Sequence, residues 1–406
     1  MRTPSAAELI DRLAELPVGR TLLGALGEAD GVYLVGGAVR DLLRGAAPAD
    51  LDLVADRDIA ALIGQLGVPA RAHDRFGTAT VSLGGTRFDL ARARRERYPH
   101  PGALPEVQPA PLGEDLQRRD FTVNALALAL GGARRGQLLA VSGGLEDLDG
   151  GLLRVLHDDS FHDDPTRLLR LARYMARLGF TPDPHTAALA GEAIAAGALA
   201  TVSGARLGAE LRLTAGEPDP VAALWQLRTL TLDSALIPGF GLRDPALASR
   251  ALALLPPDGN RAALVLATAA RDVAPSVLER RLGELAFEAG QRDVILVAAR
   301  RAPILAQELD RAREPSAIAA AAAGAPVELV ALTGALGPEE AARRWLQQLR
   351  DVGLEIGGDD LVAAGIRPGP SVGAGLRAAL AAKLDGRVQG RDAELSEALR
   401  VAGEGG

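Results

Sequence analysis

No cysteine occurs in this chain of 406 residues, which excludes disulfides and thiolate zinc sites and makes the cytoplasm the expected compartment. No stretch approaches the roughly twenty uninterrupted apolar residues that a membrane-spanning helix requires. The most apolar run, Ala317–Ala323, is short, built of small residues and followed by Gly324-Ala325-Pro326. At the N-terminus Asp11 and Arg12 interrupt any signal-peptide hydrophobic segment. Lysine is reduced to one residue, Lys383, so positive charge rests on arginine. The five histidines form no HExxH pattern and none follows His185. No GxxxxGK[ST] is present, so a zincin helix and a Walker loop both lack support.

What remains is an ordinary globular composition, 48% hydrophobic and 24% charged, in a chain long enough for two to four domains. The net charge of −7 disfavours a polyanionic partner for the chain as a whole. The arginines are nevertheless clustered, at Arg92, Arg94, Arg95 and Arg97, at Arg118 and Arg119, and at Arg167, Arg170, Arg173 and Arg177. Such clusters suit local RNA phosphate contacts, or equally an arginine-rich codon usage.

The first 130 residues mix strand and helix signals. Gly31–Val35, Leu51–Ala55, Ala79–Leu83 and Thr86–Ala91 read as strands, the last two joined at Gly84-Gly85. Helical patterns cover Ala6–Leu16, Ala38–Arg44 and Ile59–Leu66, while Asn124–Leu130 fits either state. This predicts an α+β nucleotide-binding head with a mixed sheet and flanking helices. Beyond about residue 140 alanine and leucine dominate at helical spacing, with breaks at prolines including Pro303, which predicts an all-α remainder. The last residues, Val401–Gly406, are expected to fray.

Chemistry concentrates in a few places. Asp50 and Asp52 in Ala49-Asp50-Leu51-Asp52-Leu53 point to one side of an extended segment, Leu51 and Leu53 to the core. Paired carboxylates repel, and a divalent cation relieves them; a solvated acidic edge would look the same. Upstream, Gly36-Gly37 follows an apolar strand, so its amides can approach a triphosphate, with Arg40 one turn into the next helix. Asp89 sits in a second alternating strand, after Arg75-Phe76-Gly77-Thr78, as a third carboxylate or an arginine partner. Arg118-Arg119-Asp120-Phe121-Thr122-Val123-Asn124 offers Arg119 to phosphate, Asp120 to a ribose hydroxyl and Asn124 to the turn or sugar, or a plain ion pair. In Asp163-Asp164-Pro165-Thr166-Arg167 a helix begins whose Arg167, Arg170, Arg173 and Arg177 share one side. That side is either solvated or nucleotide-facing, and Asp164 with Arg167 could then read a base edge. Three His-Asp pairs, at His73, His157 and His162, raise a metal phosphohydrolase, which would need further ligands from separate helices.

Taken in order, these elements resemble the class II tRNA nucleotidyltransferases and bacterial poly(A) polymerases. The resemblance rests on Leu34–Asp52, on Arg118–Ala127, on the hinge-like Leu145–Arg154, on Asp163–Phe180 and on Ser203–Glu210, with a looser match at Asp360–Pro370. Two positions depart from the family pattern: Asp163 replaces the usual glutamate, and Ala205 replaces the glutamate before Arg206. The resemblance implies a catalytic head at 1–140, a base-reading neck at 141–215, a helical body at 216–355 and a tRNA-binding tail at 356–406.

It further implies template-free addition of CMP or AMP from CTP or ATP to a tRNA 3′ end. Mg²⁺ on Asp50, Asp52 and Asp89 would activate the hydroxyl. Gly36, Gly37 and Arg40 would hold phosphates, and Asp164 with Arg167 would select the base, with Arg170 and Arg173 on the same nucleotide-facing side. The helical tail would grip the acceptor and T arms. Family members restricted to CC addition tend to lack a flexible loop where this chain carries Arg92–Gln117, so full CCA or terminal A addition is expected. Terminal A addition alone would require a companion CC-adding enzyme. The alternatives are CC addition, poly(A) synthesis and a non-catalytic RNA-binding relative. The acidic balance of residues 380–406 disfavours a polymerase with a basic tail.

Overall fold

The structure, a computed structural model, describes residues 4–73, 77–83 and 85–404. Arg75, Phe76, the turn expected at Gly84-Gly85 and the His73-Asp74 pair therefore fall outside the described residues, wholly or in part. The chain divides into two compact units, 1–210 and 211–406.

The first unit is α+β. Its strands are β1 Val32–Val35, β2 Leu53–Ala55, β3 Ala70–His73, β4 Thr78–Leu83, β5 Thr86–Arg92, β6 Arg94–Arg97, β7 Glu106–Pro109, β8 Leu126–Ala129 and β9 Leu138–Ala140. Seven of them form one mixed sheet in the order β3-β4-β5-β2-β1-β8-β9, with β2 and β5 parallel and the other neighbours antiparallel. β6 and β7 make a separate hairpin.

Strand alternation sorts side chains onto two apolar faces. Val32 and Leu34 join Leu53 and Leu90 against helices α1 Ala6–Glu15, α2 Pro17–Leu26, α3 Gly37–Leu43 and α4 Ile59–Leu66. Tyr33, Val35, Val54 and Ala127 face the other way, onto α5 Leu112–Gln117. With both faces covered, β1 is buried at every position. The ambiguous Asn124–Leu130 run is thus a strand at Leu126–Ala129, because it pairs β1 between two cores. The expected Leu51–Ala55 strand starts only at Leu53, which leaves Asp50 and Asp52 in the extended entry to β2.

Four further helices complete the first unit's path to the boundary: α6 Gly144–Gly150, α7 Ser160–Asp163, α8 Thr166–Leu178 and α9 Pro184–Ala195. α10, Gly204–Ala215, carries the chain across it.

The second unit is helical throughout its described residues. Pro303 does not break it as expected: the helix Ala289–Arg311 runs through that proline, which lies on its exposed side. Near the end, helices Pro370–Leu384 and Arg391–Glu404 approach so closely that a Cβ on Gly375 would meet the Ala398 carbonyl at 2.5 Å. The single lysine is spent here, Lys383 Nζ lying 2.7 Å from the buried Glu394 carboxylate. The helix continues through Glu404, so the fraying expected from Val401 is not seen there. No described helix is long and apolar enough to cross a membrane.

Candidate active site

Three aspartates collect at one end of the central strands, and register explains why. β2 pairs β5 in parallel with Leu53 opposite Leu90, so the preceding residues, Asp52 and Asp89, are also neighbours. On the other side the Val35 amide donates to the Asp52 carbonyl (3.1 Å), which brings the turn after β1 beside the same carboxylate. All three aspartate side chains are exposed. The Asp52 carboxyl is pushed up by its partly desolvated position and by Asp50 and Asp89, while Arg119 pulls it down. Asp89 is oriented by Thr80, whose Oγ1 donates to its Oδ1 at 2.9 Å.

Gly36 adopts φ +69°, a left-handed conformation that favours glycine, and a Cβ there would stand 2.9 Å from an Arg119 guanidinium nitrogen. Arg119 therefore lies directly against the turn. Its other end is fixed by Asp115 (3.0 Å), and its buried Nε has no hydrogen-bond partner among the described residues. A groove of about 450 Å³ runs from Asp52 and Asp89 to Arg94, Arg118 and Arg119.

Asp115 was not singled out from sequence, although its i+3 and i+4 spacing to Arg118 and Arg119 is a readable signal. It is fully buried and accepts from Arg118 (2.7 Å), Arg119 (3.0 Å) and the Arg94 amide (3.2 Å). Burial alone would raise its carboxyl, but the two guanidiniums outweigh this and hold it below the usual range.

Several residues expected to touch nucleotide are placed otherwise. Arg40 is 2% exposed, pairs with Asp41 (2.8 Å), donates to Asn124 Oδ1 (2.5 Å) and stacks on the Tyr174 ring. It braces the glycine turn from below instead of reaching toward a phosphate. Asp120, expected at a ribose hydroxyl, accepts from the Phe121 amide (2.8 Å) and Asn124 Nδ2 (3.0 Å) through one oxygen. Its other oxygen takes Arg170 at 2.9 and 2.7 Å. Burial opposes this charge, yet Arg170, Asn124 and the Phe121 amide hold the carboxyl down at about 2.

Arg170 and Arg173 do not form a solvated basic face. Both lie against the Tyr174 ring and pair with Glu210, so the first half of α8 packs its arginines inward. The missed signal was Tyr174, the one aromatic among them.

Asp164 and Arg167 stand at the start of α8. Arg167 Nη1 donates to Ser160 Oγ (2.6 Å) and Nη2 to the Arg118 carbonyl (2.7 Å). Asp164 is held through Oδ1 alone, by the Thr166 amide and hydroxyl (3.1 and 2.6 Å) and by Arg206 Nη2 (2.7 Å). Arg206 also donates to the Gly102 carbonyl (2.8 Å). That carbonyl belongs to the β6–β7 hairpin, whose Gly102 amide in turn donates to the Asp163 carbonyl (3.3 Å). The arginine- and proline-containing segment after Asp89 is thus an ordered hairpin tied to the start of α8. Inside it Glu96 binds Arg94, Arg118 and Tyr98.

A glycine turn and three carboxylates at the ends of a mixed sheet, beside an arginine-lined groove, are the parts of a nucleotidyltransferase head. In accord with that, residues 32–154 match the family described as Poly A polymerase head domain. Relatives extend the match. The CC-adding tRNA nucleotidyltransferase of Deinococcus radiodurans is 37% identical over 415 residues, 99% of this chain and 98% of that protein. The A-adding tRNA nucleotidyltransferase of Halalkalibacterium halodurans is 43% identical over 213 residues; the matched region is 51% of this chain and 50% of that relative. Among solved structures, a CCA-adding enzyme in an apo form superimposes with TM-score 0.83 at 27% identity, covering 98% of this chain and 100% of that one. The Thermotoga maritima CCA-adding enzyme complexed with tRNA gives TM-score 0.77 at 27% identity, over 98% and 99%. The chain belongs to the class II tRNA nucleotidyltransferase family and is a nucleotidyltransferase.

Proposed function

We propose that this enzyme adds nucleotides, without a template, to the 3′ end of tRNA from CTP and ATP. The observation that carries this reading is the convergence of Asp50, Asp52 and Asp89 beside a groove walled by Arg94, Arg118 and Arg119. In it Arg119, whose Nη1 lies against Gly36 and whose Nε is buried with no partner among the described residues, holds triphosphate oxygens. Asp164 and Arg167 present one acceptor and one donor set to the base edge, with Asp164 Oδ2 left free of the contacts made through Oδ1. Residues 1–140 supply the head, 141–215 the neck and 216–355 the helical body, while the tail at 356–406 holds the acceptor and T arms through shape and phosphates. The cysteine-free chain works in the cytoplasm.

The three carboxylates are a hard oxygen set that suits Mg²⁺. Among the described residues no three potential ligands close into a preformed metal cage. Magnesium needs none, since it is commonly held by one or two carboxylates together with substrate phosphates. Partial burial, and after it the neighbouring Asp50 and Asp89, raise the Asp52 carboxyl, and a cation would relieve that cost. When bound, the ion lowers the pKa of the 3′-hydroxyl and neutralises charge on the departing pyrophosphate. Thr80 keeps Asp89 turned toward the groove.

Which nucleotides are added has two readings. The ordered hairpin at Arg94–Pro109, tied to Asp163 and Arg206, favours a product that includes the terminal A. End-to-end similarity to a CC-adding enzyme favours CC alone. Purified protein offered tRNA ending at the discriminator, at C or at CC, with labelled CTP or ATP, separates them. AMP incorporation on CC-ended tRNA supports the first reading. Two CMP additions with no AMP establish the second, and long A tracts on generic RNA would mean polyadenylation. No incorporation with any pair would sink the enzyme reading.

A further inference from the structure

The aspartates border two grooves of different character. Asp52, Thr80 and Asp89 line both the arginine-walled groove and a second groove of about 810 Å³ on their other side. Among the described residues the second groove holds one cation, Arg87, and a third carboxylate, Asp50, and its walls are otherwise Leu16, Pro17, Val18, Leu51 and Phe88 with Pro48 and Ala49. A nucleoside triphosphate carries about four negative charges and belongs among three arginines. In-line transfer requires the attacking hydroxyl and the leaving pyrophosphate on opposite sides of the transferred phosphorus. The hydroxyl must then arrive from the side of the carboxylates away from the arginines.

That side has the chemistry of one nucleoside and its flanking phosphodiester. Apolar walls suit a base and ribose, and one arginine suits one phosphate charge. The wall is rigidly presented. α1 and α2 meet at Leu16, where the chain turns extended and Pro17 starts the second helix. The corner is so tight that a Cβ on Gly19 would lie 2.0 Å from the Leu13 carbonyl, and Arg20 Nε donates to the Ala14 carbonyl (3.2 Å). Val18 is held at that corner 40% exposed, beside the catalytic carboxylates.

We propose that the groove walled by Leu16, Pro17, Val18 and Phe88 seats the 3′-terminal nucleotide of the RNA, with Arg87 on its phosphodiester. This rests on the proposed nucleotidyltransferase reading and adds to it the place of the acceptor end. The N-terminal helix corner is then part of the substrate site.

The test measures initial rates with Val18→Glu and Arg87→Ala on a tRNA that the wild type extends. The expected result is a KM for tRNA raised about tenfold or more, with the KM for the nucleotide within about twofold, since each change removes roughly 1.4 kcal/mol of acceptor binding. As a second readout on the unmodified protein, tRNA carrying 4-thiouridine at its 3′ terminus is irradiated and the crosslinked peptide identified. Crosslinks at residues 16–18, 48–51 or 87–88 support the assignment. Unchanged tRNA KM in both variants, or crosslinks confined to the arginine-walled groove, would overturn it. If Val18→Glu fails to fold, Arg87→Ala and the crosslink still decide. A wild type that extends no tRNA defeats the parent reading instead, so the two failures are distinguishable.

Discussion

Two polar regions of the first unit draw on interleaved stretches of the sequence and differ in nearly every physical respect. At the strand ends, Asp50, Asp52 and Asp89 are exposed and crowded with like charge. Beneath the turn, the buried Arg40, Asn124 and Asp120 and the half-buried Arg170 form a continuous chain in which every link is a hydrogen bond of 3.0 Å or less. The first region is electrostatically unfinished and waits for a cation and phosphates. The second is finished, and its work is to hold the turn and the start of α8 in place. Motif residues are therefore of two kinds, those that meet substrate and those that make the meeting possible.

Substitutions should separate the kinds. Asp52→Ala is expected to lower nucleotide incorporation about a thousandfold or more while leaving thermal unfolding nearly unmoved, because the lost group is exposed. A calorimetric scan beside the incorporation assay checks this, and a large drop in Tm would assign Asp52 to the scaffold. Asp120→Ala should do the reverse in stability, costing about 1–3 kcal/mol in urea unfolding because it leaves the half-buried Arg170 guanidinium and the buried Asn124 amide without their acceptor. Retained stability would remove the hydrogen-bonded chain from the scaffold.

Acid should reach the two regions differently as well. The Asp120 carboxyl is held at about 2 in the folded chain against an ordinary 3.8, a depressed value, so its contribution is complete above the ordinary value. That contribution, about 2 kcal/mol, is lost as pH falls from about 4 toward 2, below which both states are protonated. Stability curves of wild type and Asp120→Asn should converge in that window; parallel curves would contradict the assignment. A smaller effect is expected for Arg206→Ala, which removes one of the three donors to Asp164 Oδ1 and should shift the CTP-to-ATP preference by about tenfold without abolishing turnover. Smallest of all, Thr80→Val should cost about threefold in rate, since it removes one orienting hydrogen bond to Asp89; a loss as large as that of Asp52→Ala would make Thr80 itself catalytic.

Much of the fold was legible because it depends on local periodicity. Alternation exposed the strands around Leu34, Leu53 and Leu90, and helical spacing exposed Ala6–Glu15 and Ile59–Leu66 almost to the residue. β6 and β7 were not legible, since Arg94–Arg97 and Glu106–Pro109 show no apolar alternation and are tied down by Arg118 at the end of α5 and Arg206 of α10 rather than by their own pattern. Pro303 misled for a related reason: a proline on an exposed helix side costs less than the packing that Ile295, Ala298 and Leu305 gain across it.

By itself, the sequence determined the order of motifs and hence the family, because residue identity and spacing carry the chemistry of phosphate, metal and base contacts. It also determined the two-part character, α+β then helical, because periodicity is local. Only the tertiary structure decided which charges are open and which are spent. Arg40 and Arg119 look equivalent along the chain, but one is walled in by Tyr174 and Asn124 and the other lies on Gly36 at the groove. Strand register placed Asp52 beside Asp89 across thirty-odd residues, and the Pro17 corner placed Val18 behind them. Such choices depend on what packs against a side chain, and no local pattern records that.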